Sequence, residues 1–164
     1  MLVGLPGTGK TTVGRALARA LGAEFSDTDE VFAEREGESV QDFLRRHGEP
    51  QFREREVDAL VAALARAHVV ATGGGVVTTA DARGVLEKEF TVWLTCPDDE
   101  LLVRVGEGDR PLLGDRPKEQ LTRLRREREA WYGQVSRLRV DADRAVEDIV
   151  DELVRVVPSD RIGP

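Results

Sequence analysis

The chain is short of several kinds of residue, and each shortage excludes a class of protein. Cys96 is the only cysteine, so no internal disulfide can form, as is typical of proteins in a reducing cytosol. No apolar run reaches the roughly 20 residues that a membrane-spanning helix needs. The net charge is -7, whereas a general binder of nucleic acids or membrane surfaces needs a basic excess. We therefore expect a cytoplasmic protein that binds neither nucleic acid nor membrane.

Aromatic residues and lysines are also scarce. Aromatic residues make up 5% of the chain, so the core must consist mainly of Val, Leu and Ala, and we interpret Cys96 as a further core residue at the end of a strand. Only three of the 24 basic residues are lysine. Because a GC-rich genome would produce the same bias, the abundance of arginine is by itself weak evidence for phosphate binding.

The length and hydrophobic content predict one folded domain. With 164 residues, of which 40% are hydrophobic, the chain can bury a substantial core. It contains no internal repeat, low-complexity tract or linker, so residues 1–164 are expected to form a single domain. No exposed apolar stripe stands out, and we therefore expect a monomer.

Strand and helix patterns alternate along the chain. Short apolar runs predict five strands, in MLV, AEFSD, HVVAT, FTVWLTC and LRVD. The segments between them predict helices, most clearly over Lys10 to Leu21 and from about Lys118 to Gln134, with further helix starts at Ser39 and Pro50. Strands separated by helices predict a three-layer α/β/α fold, in which helices cover both faces of a five-stranded parallel sheet.

The first loop has the pattern of a phosphate-binding loop. In GLPGTGKT, Gly4, Gly9, Lys10 and Thr11 fit G-x-x-x-x-G-K-[ST] between a strand and an amphipathic helix. Glycines let successive N–H groups turn towards phosphate oxygens, and the helix N-terminus adds its positive end. We expect the lysine to reach the β- and γ-phosphates and the threonine to offer its hydroxyl to Mg²⁺. The predicted nucleotide-binding residues are Gly7, Thr8, Gly9, Lys10, Thr11 and Thr12.

This loop indicates a nucleoside triphosphate but not a reaction. GTPases, ATPase motors and small-molecule kinases all use it. A GTPase should carry an N-K-x-D motif that reads the base, and the chain has none. Motors usually need a longer chain. These absences favour a small-molecule kinase.

Two aspartates lie at the end of the second predicted strand. Asp27 and Asp29 are two residues apart in SDTDE, and at strand spacing both would point towards the cleft at the carboxyl edge of the sheet. Phosphoryl transfer to a hydroxyl needs a metal partner and a group that orients or deprotonates the nucleophile, and a pair of aspartates can divide these roles. Alternatively, one aspartate caps the next helix and the other is a solvated surface residue.

Three consecutive glycines, Gly73, Gly74 and Gly75, follow the third predicted strand. Each costs backbone entropy and gives the core nothing to pack, so some group must approach this backbone closely. The glycines fall at the same edge of the sheet as the phosphate loop. The group that approaches is either a ligand or another part of a tight structural turn.

Taken in order, these motifs resemble the shikimate kinase family. The resemblance covers nearly the whole chain, through GLPGTGKTTVGRALA, DTD, FREREVDALVAALARAHVVATGGGV, DRPLL and REREAWY. Its most specific part is the middle block, in which Arg53 and Glu56 precede an apolar strand and the three glycines. The resemblance implies the P-loop fold of the nucleoside monophosphate kinases. It also implies Mg²⁺-dependent transfer of a phosphoryl group from ATP to the 3-hydroxyl of shikimate, in the pathway to chorismate and aromatic amino acids.

The resemblance assigns a role to most of the candidate residues. Asp29 would bind the acceptor hydroxyl and act as the base, and Asp27 would hold Mg²⁺ through water beside Thr11. Arg53 and Arg128 would clamp the carboxylate of shikimate, which suits the planar guanidinium group because it can bond both carboxylate oxygens. The arginines near the second of these, at 123, 125 and 126, are expected to form a solvated face.

The resemblance also implies roles for the three glycines, for Arg104 and for an arginine of a mobile lid. The three glycines would turn backbone N–H groups towards shikimate and leave room for its ring, while Arg104 would pack against adenine. In GEGDRPLLGDRP, Arg110 would be the lid arginine that closes over the transferring phosphoryl group, with Arg116 as a competing candidate because both precede proline. The lid would cover about residues 106–117, and the substrate-binding insert about residues 29–67.

Three other interpretations stay open. Another small P-loop kinase, such as a gluconate kinase, would share the phosphate loop, although the triple glycine with Arg53 upstream argues against it. A catalytically silent homologue should have lost Lys10, Asp29 or a lid arginine, and none is lost. A scaffold or interaction domain would leave the phosphate loop unexplained.

Overall fold

The computed structural model describes residues 1–106 and 116–158, and this part of the chain contains five strands and seven α-helices. The strands are β1 (Leu2–Val3), β2 (Phe25–Asp27), β3 (Val69–Ala71), β4 (Val92–Thr95) and β5 (Leu138–Asp141). The helices are α1 (Lys10–Leu21), α2 (Thr28–Glu36), α3 (Val40–Arg66), α4 (Ala80–Leu86), α5 (Asp98–Gly106), α6 (Pro117–Val135) and α7 (Val146–Val156). A short 3₁₀ turn covers Val76–Thr78.

The five strands form one parallel sheet in the order β2-β3-β1-β4-β5. Leu2 of β1 pairs with Ala71 on one side and with Val92 on the other, so the shortest strand lies at the centre. The chain fills the sheet to one side of β1 before it crosses to the other, and such a reversal opens a crevice beyond the carboxyl end of the central strand. The predicted five-stranded parallel α/β fold is confirmed.

Helices cover both faces of the sheet, because neighbouring residues of a strand point to opposite sides. Leu2 and Leu94 pack under α1 and α7, while Val3 and Trp93 pack under α3, α4 and α6. Cys96 is buried just after β4, which confirms its interpretation as a core residue. No helix in the described ranges is long and apolar enough to cross a membrane.

Helix α1 has the predicted bounds, and glycines mark both ends. Gly9 and Gly22 have φ angles of 83° and 64°, in the left-handed region that favours glycine. At the C-terminal end, the N–H group of Gly22 bonds to carbonyl oxygens of the last turn. The first of these glycines places Lys10 at the start of the helix, directly behind the phosphate loop.

The helical segment formed by α2 and α3 has a small core of its own. The ring of Phe32 lies 5.1 Å from that of Phe43 and 5.2 Å from that of Phe52. Ser39 accepts a hydrogen bond from the third residue after it, which confirms the predicted helix start. The backbone kinks at Gly48, with φ 78° and ψ 170°, so α3 consists of two helical stretches, and the second begins close to the proline predicted to start it.

Candidate active site

An open cleft of about 630 Å³ lies at the carboxyl edge of the sheet. It is bounded by the phosphate loop, the start of α2, the glycines after β3 and the loop after β5. The predicted site residues that line it are Gly7, Thr8, Gly9, Lys10, Thr11, Thr12, Asp27, Asp29, Gly73, Gly74 and Arg104. Residues from six separate stretches of the chain therefore converge on one cavity.

The side chain of Lys10 bonds the backbone of its own phosphate loop. Nζ of Lys10 donates hydrogen bonds to the carbonyl oxygens of Gly4 and Leu5, both at 2.9 Å. The side chain of Thr8 also donates to the carbonyl of Leu5, at 2.9 Å. These bonds hold the loop around the N-terminus of α1, where a cation and the helix dipole favour the same anion.

Thr11 and Asp27 lie side by side at the edge of this loop. The hydroxyl of Thr11 donates to Oδ2 of Asp27 at 2.7 Å. Hydroxyl and carboxylate oxygens are the ligands that Mg²⁺ prefers, and Mg²⁺ usually keeps several waters and binds substrate phosphates as well. The described residues include no group of three or more acidic, His or Cys side chains that could hold a metal. The oxygen donors of this pair fit a Mg²⁺ site that waters and nucleotide phosphates would complete.

Asp29 does not lie on the second strand, so the expectation that the two aspartates share strand spacing is wrong. Oδ1 of Asp27 accepts the backbone N–H of Asp29 at 3.0 Å, and this cap starts α2 at Thr28. The backbone therefore turns into a helix between the two aspartates. Both carboxylates still line the cleft, one from the strand end and the other from the first helical turn.

A protein group lies against each member of the glycine turn, residues 73–75. A Cβ atom on Gly73 would lie 2.9 Å from Oδ1 of Asp29. One on Gly74 would lie 2.8 Å from Cδ of Pro6, and one on Gly75 would lie 2.5 Å from Nη1 of Arg53. Side-chain carbons essentially never come so close to other atoms. The missing side chains thus allow the acidic residue, the phosphate loop and an arginine to meet at one turn.

Arg53 lies between two glutamates of its own helix. Its Nη1 donates to Oε2 of Glu56 at 2.6 Å, and its Nε and Nη2 donate to Oε1 of Glu49 at 3.2 and 2.9 Å. Burial raises the pKa of Glu56, and the charge of Arg53 opposes this rise. Burial alone would lower the pKa of Arg53, but the two carboxylates raise it overall, so the arginine remains cationic.

Arg128 and Tyr132 reach the glycine turn from α6. Nη1 of Arg128 donates to the carbonyl oxygen of Gly74 at 2.9 Å, and the hydroxyl of Tyr132 donates to the same oxygen. The tyrosine ring stacks on Trp93 with 5.8 Å between centroids. The two arginines predicted to act together, Arg53 and Arg128, are therefore brought to adjacent residues of one turn.

Arg104 lines the cleft beside the loop after β5. Its Nε donates to Oε1 of Glu100 at 2.9 Å, and its Nη1 donates to the carbonyl of Ala142 at 3.1 Å. These bonds fix the guanidinium plane beside the loop after β5. A fixed guanidinium plane can stack on a planar base, so packing against adenine stays a prediction for this residue.

Arg125 does not lie on a solvated face, so the expectation that it would is wrong. Its Nε donates to Asp98 at 2.6 Å and its Nη2 donates to the carbonyl of Cys96 at 2.8 Å. The side chain ties α6 to the end of β4.

Arg110, the predicted lid arginine, lies outside the described residues, while the competing Arg116 is exposed and pairs with a glutamate of α6.

Two residues that were not predicted as site residues belong to this site. Glu56 partners Arg53, and Tyr132 shares a carbonyl oxygen with Arg128. Each follows its arginine at helical spacing, three and four residues on, where side chains meet on one face. This spacing could have predicted that each residue lies beside its arginine, but only if both segments were already known to be helical.

Sequence comparison identifies relatives over nearly the full length. A family model described as "Shikimate kinase" matches residues 6–158. Shikimate kinase 2 of Dickeya chrysanthemi is 43% identical over 162 residues, which cover 95% of this chain and 94% of the relative. A shikimate kinase of Geobacter metallireducens is 42% identical over 159 residues, which cover 93% of this chain and 88% of the relative.

Solved structures give the same result. Shikimate kinase from Acinetobacter baumannii, in complex with shikimate, superposes with a TM-score of 0.89 at 32% identity and covers 99% of this chain and 93% of its own. A gluconokinase from Sinorhizobium meliloti reaches a TM-score of 0.64 at 22% identity, a likeness that shows the shared P-loop kinase fold alone. The family match over residues 6–158 and the relatives above 40% identity agree: this chain is a P-loop kinase that belongs to the shikimate kinase family.

Proposed function

We propose that this chain transfers the γ-phosphoryl group of ATP to the 3-hydroxyl of shikimate and releases shikimate 3-phosphate and ADP. The observation that carries the proposal is the glycine turn. It holds the carboxylate of Asp29, the phosphate loop and Arg53 in contact range of three successive residues. A site that joins a base, a nucleotide loop and anion-binding arginines fits a kinase whose acceptor is a hydroxy acid.

Asp29 is the proposed base. It lies on the first turn of α2 at the cleft, beside the glycine turn and across from the phosphate loop. From there it accepts a hydrogen bond from the acceptor hydroxyl and takes its proton as the bond to phosphorus forms. Most of the rate enhancement then comes from the positioning of the hydroxyl and the phosphate and from charge stabilisation.

Lys10, Thr11 and Asp27 are proposed to hold the nucleotide phosphates. Thr11 would bind Mg²⁺ through its hydroxyl, and Asp27 would bind it through a water. Bound Mg²⁺ would neutralise charge on the β- and γ-phosphates. Lys10 would exchange its carbonyl partners for phosphate oxygens at the same loop.

Arg53 and Arg128 are proposed to bind the carboxylate of shikimate. Both are bound to or packed against the glycine turn, and two cations there favour an anion although the chain as a whole carries -7. The proposal extends to three features outside these contacts: a substrate-binding insert over about residues 29–67, a lid over about residues 106–117 that delivers Arg110, and a monomeric protein in the cytoplasm.

The activity itself is tested by ADP release from MgATP, measured with shikimate, quinate or gluconate as the acceptor. We expect strong, saturable stimulation by shikimate and little by the other two. Stimulation by gluconate instead would assign the chain to gluconate kinase chemistry. ATP binding without stimulation by any acceptor would indicate a catalytically silent homologue and would refute the proposed reaction.

Gly75→Ala is expected to raise the KM for shikimate about tenfold. Its Cβ would lie 2.5 Å from Nη1 of Arg53, so the guanidinium must move away from the turn, and small misplacements of binding groups have effects of this size. Gly133→Ala is the matched control, since in the described part of the chain no atom outside the backbone of its own helix and its chain neighbours lies within 4 Å of its Cβ position on α6. Steady-state kinetics should show unchanged constants for the control; an unchanged KM in Gly75→Ala would contradict the assignment of Arg53 to shikimate.

A further inference from the structure

Tyr132 places a polar group deep in the core and directs it at the site. The residue is 1% exposed, and its ring already has an apolar role, stacked on Trp93 in the cluster between the sheet and α6. A phenylalanine would fill that space without a hydroxyl to desolvate. A buried hydroxyl is costly unless it is hydrogen-bonded, and this one finds its acceptor on the glycine turn rather than within the core.

The acceptor is shared with a residue of the proposed substrate clamp. Nη1 of Arg128 donates to the carbonyl oxygen of Gly74 at 2.9 Å, and Tyr132 donates to the same oxygen. A carbonyl oxygen has two lone pairs, and these two donors occupy both. Because a trans peptide is planar, fixing this oxygen also fixes the N–H group of Gly75 on the other side of the peptide.

The second arginine of the clamp lies at the other end of the same peptide. The guanidinium of Arg53 packs so tightly on Gly75 that a Cβ atom there would lie 2.5 Å from Nη1 and 2.6 Å from Nη2. One peptide, between Gly74 and Gly75, therefore separates the two guanidinium groups. Glu49 and Glu56 hold Arg53 on one side of this peptide, while the orientation of the peptide sets where its N–H group points and where its carbonyl oxygen meets Arg128.

We propose that Tyr132 is a positioning residue for the acceptor: its hydroxyl holds the Gly74–Gly75 peptide in the orientation that spaces Arg53 and Arg128 for one carboxylate. This proposal rests on the proposed binding of shikimate by the two arginines. Burial raises the pKa of Tyr132 to about 12, so the hydroxyl remains a protonated donor at all physiological pH values.

Tyr132→Phe tests the proposal because it removes the hydroxyl and keeps the ring. We expect the KM and the directly measured Kd for shikimate to rise about threefold to tenfold, as for the loss of one net hydrogen bond. The kcat and the KM for MgATP should stay within about twofold, since neither the base nor the phosphate loop contacts the hydroxyl. Thr122→Val is the matched control: it removes a hydroxyl from the same helix, one whose single bond within the described residues is to the carbonyl of Lys118, and should leave every constant unchanged.

Two results would overturn the proposal. An unchanged Kd for shikimate would show that the hydroxyl does not position the clamp. A large fall in the melting temperature, together with parallel losses in both KM values and in kcat, would show a role in folding alone. A wild-type protein that does not bind shikimate at all would refute the proposed function instead, and calorimetry on the wild type, done first, separates this case from the other two.

Discussion

Asp29→Asn is expected to lower kcat by about 10²- to 10⁴-fold, the range that general base catalysis contributes. Asparagine has nearly the same shape, and it can still hydrogen-bond the acceptor hydroxyl, but it cannot take the proton. The carboxylate lies on the first turn of α2, against the first residue of the glycine turn. The KM for MgATP should change little, because Asp29 is separate from the loop that binds phosphate.

Glu30→Gln is the matched control for this substitution. Glu30 is the next residue on the same first turn, is exposed, and pairs with Arg15. Both variants remove one negative charge near the helix N-terminus, where each charge contributes about 0.3–1 kcal/mol, so both should lose similar stability. Steady-state ADP release should then show full activity for Glu30→Gln. If Asp29→Asn kept more than about a tenth of wild-type kcat, another group would have to be the base.

The sequence was sufficient to predict the fold because local and global patterns agree. Helix α1 begins at Lys10 and ends at Leu21 as predicted, since an amphipathic stretch is bounded by glycines that adopt the left-handed conformation. The central position of β1 and the order of the strands did not follow from these patterns. Strand order depends on which helices pack on which face, and that is decided by contacts between residues distant in sequence.

Most of the residues predicted for the site line the cleft, but their contacts with one another were not predicted. The phosphate loop, Asp27 and Asp29 converge because all follow strands of one parallel sheet, and the resemblance supplied the arginines. The change from strand to helix between the two aspartates was foreseen only in the alternative that one of them caps the next helix, and Asp27 is that cap. The role of Arg125 was missed because its partners, Asp98 and the carbonyl of Cys96, come from another part of the chain.

The glycine turn shows most clearly what sequence reasoning leaves out. Its lack of side chains was explained by room for a substrate, whereas in the structure the space nearest each α-carbon is taken by Asp29, Pro6 or Arg53. The turn therefore organises the site's own groups before any substrate binds. This makes the partners of those groups, above all Glu56, part of the site.

Arg53→Met is expected to raise the KM for shikimate by on the order of 10²-fold, since a charged clamp residue is lost. It should also destabilise the fold by about 3 kcal/mol at neutral pH, because removal of one partner leaves a buried charge uncompensated. The partner is Glu56, whose side chain is 4% exposed and bonded to Nη1. Urea unfolding measures the stability loss, and Arg55→Met, which removes an exposed arginine of the same helix, should show little of either effect.

The pH dependence of the loss identifies its cause. Burial already raises the pKa of Glu56, and Arg53 opposes the rise, so in Arg53→Met the folded-state pKa should rise further above its unfolded value. A carboxyl group with a raised folded pKa binds protons more tightly when folded. The variant should therefore lose stability as pH rises from the unfolded pKa towards the folded pKa and should lie closest to wild type in acid.

A double variant separates the structural role of the arginine from its role in substrate binding. Arg53→Met/Glu56→Leu removes the buried charge together with its partner, and replacing a buried ion pair by apolar residues is often neutral for stability. We expect most of the stability to return and the pH dependence to flatten, while the KM for shikimate stays high. If shikimate binding returned together with the stability, Arg53 would serve only to neutralise Glu56, and the carboxylate would have to bind at Arg128 without it.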